Sequence, residues 1–405
     1  MRLPTAGLLV VLSLYLTLVP TYGRLQHSYA DPRRKRLAPL PEREPYRPSV
    51  DVIIPCYNER PTQLAACLES LRGQSYDGTV NVWVVDDGSD NRRALLPVLR
   101  DEADPAWRIV QLKRNQGKRM AQDAALRQGS GEIVVTLDSD TIIDPDGIRH
   151  IVAPLENPNV GAVTGNLRPS NAGATWLTGL IETRYRLLCE QERAAQGFFE
   201  AVLCCAGPFS AYRRKVIEKV WSQYIGQSDR SRRPLQRPGD DLELTNLVLT
   251  SGQRSLFEPT ARASTDVPPT LRCYLRQQRR WNRSFYRELP RMLRVLRELQ
   301  GPNAYLALDL AVRTLWPALL AVGLAATALD VLVEPSRLPW DVLALGLMAV
   351  SSLGLTPSLI RPAGLRFVVL YGLISVAFLL PNRLWAACTL FRDRWETRSL
   401  PIAKG

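Results

Sequence analysis

Apolar and polar positions divide the chain into three stretches. Leu8 to Val19 is almost wholly apolar. From Asp51 to Glu288, short apolar runs alternate with helical periodicities. From Ala304 onward three long apolar runs appear: Ala304 to Val333, Val342 to Leu359 and Leu365 to Leu390. In the middle stretch, Val52 to Ile54, Val80 to Val85 and Ile133 to Leu137 predict short buried strands. Between them, Leu64, Cys67, Leu68 and Leu71 recur at helical spacing. Met120, Ala121, Ala124 and Ala125 do the same within Lys118 to Gln128. This alternation predicts an α/β domain, a mostly parallel sheet with helices on both faces. Such sheets bind ligands beyond the carboxyl ends of their strands. Each predicted strand runs into polar residues there: Tyr57, Asn58 and Glu59; then Asp86, Asp87, Gly88 and Ser89; then Asp138, Ser139 and Asp140.

Trp176, Leu177, Leu180, Ile181, Tyr185 and Leu188 predict an amphipathic helix, packed either on the core or on a membrane surface. Leu271, Tyr274, Leu275, Trp281 and Phe285 repeat the pattern beside a dense arginine face. That charge turns residues 270–300 towards a membrane-interfacial helix. The first and last C-terminal runs exceed the ~20 residues needed to cross a bilayer. Residues 1–23 read as a transmembrane anchor rather than a cleaved signal. Arg24, Arg33, Arg34, Lys35 and Arg36 form a positive flank that belongs in the cytosol. Residues 24–50 read as a basic, Pro-rich linker with little regular structure.

The expected plan is therefore a multi-pass protein of the plasma membrane. It has a cytosolic globular domain over 51–269, the interfacial helix, a transmembrane region over 301–391 and a basic cytosolic tail over 392–405. Three C-terminal crossings would put that tail outside, against its charge. The third run, interrupted by Pro381 and Arg383, is expected to be re-entrant or to lie flat.

The 405 residues carry a formal net charge of +13, concentrated in Arg33 to Arg47 and Arg272 to Arg297. Both basic stretches border apolar runs, so a membrane surface and an anionic substrate fit them better than nucleic acid. Seven cysteines in no paired framework suggest reduced thiols. With only His27 and His150 in the chain, a histidine-based triad or metal site is nearly excluded. Chemistry must rest on carboxylates, Arg and Lys.

Asp138 and Asp140 stand two apart at a strand end, where both reach one ligand site. A divalent cation bridging a diphosphate needs such oxygen ligands. An EF-hand is excluded, because Ile142 and Ile143 occupy positions that require a ligand and a glycine. Asp86 or Asp87 can accept hydrogen bonds from a uracil or ribose, or can simply make a turn. Gly117, Lys118 and Arg119 do not make a Walker A loop, yet Lys118 can neutralise a phosphate. Gly239, Asp240 and Asp241 open an apolar helical pattern, where one acid can serve as a base and the other as an N-cap. Gln277, Arg280 and Trp281 on the basic helix offer a diphosphate clamp and a flat face for a sugar, or an interfacial anchor.

Asp86-Asp87-Gly88, Asp138-x-Asp140, Gly239-Asp240-Asp241 and Gln277-x-x-Arg280-Trp281, four motifs in this order and at domain-scale spacing, resemble the processive family-2 glycosyltransferases, which have a GT-A fold. The resemblance covers about Asp51 to Glu288 and the flanking membrane segments. Glu192 to Gln196, Cys204 to Pro208, Thr265 to Pro268 and Gln277 to Glu288 look most like hyaluronan synthases. Nodulation-type chitin-oligosaccharide synthases and fungal chitin synthases come next. The resemblance implies that Asp87 binds uridine, Lys118 contacts the nucleotide sugar, and Asp138 and Asp140 serve nucleotide and metal. It makes Asp241 the general base, closes Arg280 and Trp281 over the diphosphate and acceptor end, and lines the acceptor site with Cys205 and Gly207. Tyr57, Glu59, Asp240 and Gln277 join the substrate-binding set.

A UDP-sugar donor, a growing polysaccharide acceptor, Mg2+ or Mn2+, and a β-linked product from single-displacement inversion follow. A hyaluronan synthase using UDP-GlcNAc and UDP-GlcA is the leading expectation; a chitin or chitin-oligosaccharide synthase using UDP-GlcNAc alone is the alternative. Three departures bear on the product. One N-terminal span is found where hyaluronan synthases commonly have two, Leu242 replaces the usual Arg, and Glu396 replaces a Gly in the tail.

Overall fold

The computed structural model describes residues 21–30, 46–101, 107–226, 239–298, 304–337 and 370–390, with isolated positions at 13, 17, 18, 339, 342, 343 and 346. Most of the N-terminal apolar run, the Arg33–Arg36 flank, nearly all of Val342 to Leu359 and the basic tail lie outside the described residues.

The three predicted strands form and sit together. They are β1 (Val50–Cys56), β2 (Val80–Asp86) and β4 (Ile133–Leu137), and β1 is hydrogen-bonded in parallel to both others. Their near-continuous Val and Ile runs are buried on both faces, as a central parallel strand demands. The full sheet has eight strands in the order β3-β2-β1-β4-β7-β6-β8-β5. β3 (Trp107–Gln111) adds a parallel edge. β5 (Thr141–Ile143), β6 (Val160–Pro169), β7 (Phe209–Arg213) and β8 (Arg254–Thr265) build the other half. There β7 runs antiparallel to both neighbours and β5 antiparallel to β8, while β6 and β8 are parallel. The sheet is thus mixed but mostly parallel, as expected, with β7 and β5 its reversed strands. The chain enters β7 from a loop at the carboxyl edge and so runs against β4.

Five of the eight strands were not legible for identifiable reasons. β3 is exposed and charged, as an edge strand tends to be. β6 contains Gly161, Gly165 and Asn166, poor strand formers that the fold requires. A Cβ on Gly165 would sit 2.6 Å from the Ala261 carbonyl, and the register with β8 shifts at that point.

On the helical side, α2 (Pro61–Arg72) buries Leu64, Cys67, Leu68 and Leu71. α3 (Arg92–Asp101), α4 (Lys118–Leu126) and α5 (Gly147–Val152) follow. α6 (Trp176–Leu187) buries Leu177, Leu180, Ile181 and Tyr185, so it is a core-packing helix. It continues through a π-helical segment (Leu188–Arg193) into α7 (Ala194–Phe198). α8 (Arg214–Gly226) and α9 (Asp240–Thr250) cover the second face of the sheet.

At the amino ends of the strands, Asp51 is wholly buried. It accepts from Asn81 Nδ2 at 3.0 Å and Gly131 N at 2.8 Å, and pairs with Arg214. Arg214 also donates to the Leu126 carbonyl at 3.0 Å. This clamp ties β1, β2, β4 and α8 together at the end away from the polar strand termini.

The N-terminal helix, α1, runs to residue 30 rather than ending at 23, so the first part of the expected linker is helical. Tyr22, Leu25 and Tyr29, at helical spacing, pack on a buried cluster that includes Ala195, Tyr305 and Leu306. The Tyr29 ring centroid is 4.7 Å from that of Phe199 and 5.3 Å from that of Tyr305.

α10 (Leu271–Glu298), the basic helix, lies against α9 and α12 (Leu370–Cys388). Arg279 Nε donates to Asn382 Oδ1 at 3.0 Å, and Arg283 donates to the Thr389 hydroxyl at 3.1 and 3.2 Å. Those arginines face protein, not a lipid headgroup. α11 (Ala304–Val333) and α12 are long and apolar enough to cross a bilayer, with 30 and 19 residues. Pro381 does not break α12; a π-helical stretch, Ser375–Leu379, precedes it and absorbs the missing donor. Arg383 turns inward, donating to Tyr286 Oη at 3.1 Å and to the Arg313 carbonyl at 2.6 Å.

Candidate active site

The carboxyl edge of β1, β2 and β4 gathers the predicted residues. At the end of β2 the two adjacent acids divide their work. Asp86 accepts from Ser89 N at 2.9 Å and pairs with Arg92 Nε at 2.5 Å, closing the turn. Asp87 accepts from the amides of Gln116 and Gly117 at 2.7 and 2.8 Å. Burial pushes the Asp87 carboxyl up, the two amides oppose that, and the Asp86 charge adds to the rise. Gly88 has φ +69°, and a Cβ there would lie 2.4 Å from the Arg114 carbonyl carbon. Only glycine lets the 86–89 turn meet the 114–117 loop this closely. Asp87 thereby sets the start of α4, whose first residue is Lys118.

Lys118 Nζ pairs with Asp138 Oδ1 at the end of β4. Burial lowers the Lys118 ammonium pKa, but Asp138 beside it, with Asp240 and Asp241 further off, raises it overall, so the group is cationic. Asp140 Oδ1 accepts from the Thr265 hydroxyl at 3.3 Å, where β8 pairs with β5. Ser139 donates to Glu59 Oε2 at 2.6 Å, which places Glu59 beneath the Asp138–Asp140 turn, as a support. Tyr57 stands at the same edge and is half-buried.

Because β7 is antiparallel to β4, with Leu137 opposite Phe209, residues 204–208 lie at the same edge. Asp138 N donates to the Pro208 carbonyl at 3.4 Å. A Cβ on Gly207 would come within 2.8 Å of Lys118 Nζ. Gly207 N donates to Asp241 Oδ2 at 3.3 Å. The Cys204 thiol lies near Asp241, and burial followed by the Asp241 charge holds that thiol protonated. Cys205 is placed differently from the expectation. Its side chain is buried in the apolar cluster under α9, and its amide donates to Thr245 Oγ1 at 2.9 Å. Cys204 is the residue sequence reasoning missed, since nothing in the sequence fixed which of the adjacent cysteines would face Asp241.

The Gly239–Asp241 acids also separate. Asp240 pairs with Arg119 Nε at 2.7 Å, and Glu243 pairs with Arg119 NH2 at 2.7 Å; all three side chains are buried. Arg119 lies over the Tyr224 ring, 4.6 Å from its centroid. Asp240 is neither an N-cap nor open to a ligand; it bolts α9 to α4. Among the described residues no Lys or Arg forms an ion pair with Asp241, which accepts from the amides of Gly207 and Leu242. Gly239, at φ +106°, allows α10 to cross: a Cβ there would meet the Ser284 Cβ at 2.7 Å. Arg280, whose carbonyl accepts from the Ser284 hydroxyl at 3.0 Å, lies one turn away, with Trp281 40 % exposed beside it. Gln277 Oε1 is buried with no hydrogen-bond partner among the described residues. The structure thus brings Lys118, Asp138, Gly207 and Asp241 together, with the Gln277–Trp281 turn adjoining Gly239.

The donor set suits a hard divalent cation. Asp138 and Asp140 offer two carboxylates at one turn, and no group of three or more His, Cys, Asp or Glu that could hold a metal occurs among the described residues. Mg2+ and Mn2+ are commonly held by one or two carboxylates, with substrate phosphates and water completing the shell.

A nucleotide-sugar edge of this kind defines a glycosyltransferase with a GT-A fold. The sequence profile described as "Glycosyl transferase family 2" matches residues 51–221, and the chain belongs to that family. It is 42 % identical over 399 residues to an N-acetylglucosaminyltransferase of Sinorhizobium fredii, covering 97 % of this chain and 95 % of that one. The corresponding protein of Bradyrhizobium diazoefficiens is also 42 % identical, over 96 % of this chain and 79 % of its own. A mannosyltransferase of Pyrobaculum calidifontis, solved with GDP-Man and Mn2+, shares the fold: TM-score 0.59, 21 % identity, 90 % of this chain and 98 % of that one covered. The protein is an enzyme, a transferase that uses a nucleotide-sugar donor and a sugar acceptor.

Proposed function

We propose that the protein transfers N-acetylglucosamine from UDP-GlcNAc to the non-reducing end of a growing chain, making a β-linked chitin-type oligosaccharide. The observation that carries this reading is the whole-length similarity to proteins named N-acetylglucosaminyltransferase. The same similarity revises the preference for hyaluronan: the findings favour the single-sugar alternative.

Asp241 acts as general base. It has no cationic partner among the described residues, and its carboxylate lies beside the Gly207 amide, where an acceptor hydroxyl would enter. It takes the hydroxyl proton as that oxygen attacks the anomeric carbon opposite UDP, inverting the configuration. Lys118 and Arg280 carry the charge that receives the leaving diphosphate. Asp138 and Asp140 are the residues that would hold a divalent cation, which when bound would add positive charge for the leaving group. Asp87 sets the 116–117 loop against the uridine, and Trp281 offers its face to the acceptor ring. The two long apolar helices, α11 and α12, support a multi-pass protein of the plasma membrane with this site in the cytosol.

The test is UDP release from purified protein with Mn2+ or Mg2+, given UDP-GlcNAc alone, UDP-GlcA alone and both. Turnover with UDP-GlcNAc alone and a chitinase-sensitive product is expected. Polymer formed only when both donors are present would restore the hyaluronan reading. An α-linked product would exclude single displacement.

A further inference from the structure

One buried polar cluster takes no part in the chemistry above. Asp309 lies in the apolar helix α11, and its side chain is fully buried. Its carboxylate accepts from Arg313 Nε at 3.0 Å on each oxygen, from Gln196 Nε2 at 2.8 Å and from the Tyr22 hydroxyl. Gln26 Nε2 braces Tyr22 at 2.6 Å. Arg313 continues to Glu192 Oε2 at 2.8 Å, and Glu192 Oε1 takes Arg184 NH1 at 2.7 Å. Ionised groups in an apolar helix are costly and tend to mark function. α11 is also fastened to the domain by apolar packing, with Phe199 stacked on Tyr305 at a centroid distance of 4.9 Å.

Gln196 connects this cluster to the active site. While its Nε2 holds Asp309, its Oε1 accepts from Leu203 N at 3.2 Å. Leu203 opens the loop that runs through Cys204 and Cys205 to Gly207, beside Asp241. Cys205 N donates to Thr245 Oγ1 at 2.9 Å, and that hydroxyl donates to the Asp241 carbonyl at 2.7 Å. Gly207 N reaches Asp241 Oδ2 at 3.3 Å. The loop is therefore held at one end by α11 and at the other by α9.

We infer that Asp309, acting through Gln196, is a positioning residue for the 203–207 loop, so that the seating of α11 sets how closely an acceptor hydroxyl approaches Asp241. The inference rests on Asp241 being the base.

The test uses the full-length protein with Gln196→Met, Asp309→Asn and the double substitution. UDP released, GlcNAc transferred and the thermal midpoint are measured in parallel. Gln196→Met keeps the side chain's length but cuts the string. It should lower transfer per folded molecule about tenfold and hold the KM for UDP-GlcNAc within about twofold, while the loss of two buried hydrogen bonds lowers the midpoint by several degrees. UDP released per sugar transferred should rise, because water competes once the acceptor is misplaced. The double variant should fall no further than Asp309→Asn alone, since both cut one string. Wild-type transfer in Gln196→Met, losses that multiply in the double variant, or losses that follow the folded fraction would each overturn the inference. If Gln196→Met does not accumulate, Gln196→Asn, one methylene shorter, is judged on the same scale. Asp241→Asn separates the two readings. Retained turnover there sinks the base assignment, whereas abolished turnover beside a wild-type Gln196→Met sinks only the positioning role.

Discussion

The neighbouring acids Asp240 and Asp241 should respond in opposite ways to the same change. Asp240→Asn removes one of the two carboxylates that hold the buried Arg119. The bond lost is a charge-assisted one of 2.7 Å, while Glu243 remains at 2.7 Å and the Tyr224 carbonyl at 3.1 Å. The cost is therefore that of a single charged hydrogen bond, about 2 kcal/mol, rather than the ~3–5 kcal/mol of stripping a buried pair completely. For a domain of this size that lowers the thermal midpoint by about 4–8 °C. Turnover per folded molecule should stay within about tenfold of wild type, since Asp240 touches no reacting atom. Asp241→Asn breaks no ion pair among the described residues and should leave the midpoint nearly unchanged. It should cost about 10²–10⁴ in turnover, the usual worth of a general base. Differential scanning fluorimetry and UDP release on the same preparations give both readouts. If Asp240→Asn abolishes turnover at an unchanged midpoint while Asp241→Asn merely destabilises, the assignment of the two acids is reversed and the reasoning fails.

Gly207→Ala should raise the KM for UDP-GlcNAc with little loss of fold. Its new Cβ lies 2.8 Å from Lys118 Nζ and must push that flexible ammonium off Asp138; an unchanged KM would count against Lys118 as a donor contact. Gly239→Ala should destabilise by about 1–3 kcal/mol, through the strain of φ +106° and the Ser284 contact. Ser284→Gly in the same chain should recover only the steric share of the melting shift. Glu192→Gln should have a pH-dependent cost. Burial raises the Glu192 pKa, but Arg184 and Arg313 outweigh it and hold the carboxyl at about 2 against an ordinary 4.5. Its stabilisation is then complete above the ordinary value and lost as pH falls towards the folded one. Wild type and variant should differ most near neutrality and converge below about pH 2–3 in denaturation curves. Chelation of divalent cations should abolish transfer, and Asp140→Asn should raise the Mn2+ concentration needed for half-maximal rate.

Legibility followed burial pattern. β1, β2 and β4 were readable because a central parallel strand needs an unbroken apolar run, and the acids ending them were readable because ligands gather at that edge. β6 was not, since its glycines answer to the close approach of Ala261 and Phe209, a demand set by distant chain. The parallel strands β1, β2 and β4 were foreseen; the reversed strands β7 and β5 were not, because strand direction is set by the route of the connecting chain. At the site, the motif acids were legible as a group, but their division of labour was not. Asp240 and Asp241 look alike in sequence, and only Arg119, 121 positions away from Asp240, tells them apart. Cys204 and Cys205 pose the same problem. The basic face of α10 was legible as charge, yet Asn382 and Thr389, which take two of its arginines, lie more than a hundred residues on.

The Asp51–Arg214 clamp bears on how this protein can change. It fixes the strands at their amino ends, with glycines at 129 and 131 crowded against Asp51, so closely that a Cβ would lie 2.2 and 2.7 Å from its atoms. Register is thus enforced at the pole opposite the site. Positions in the loops at 57–59, 86–89, 138–140 and 203–207 other than those that hold the turns, such as Glu59, Asp86 and Gly88, can then drift in sequence without loosening the scaffold that carries them. A lineage could retune donor or acceptor preference by substitution in those loops while the rear pole stayed untouched. Grafting loops between family members is correspondingly more promising when Asp51, Gly131 and Arg214 are kept as a unit.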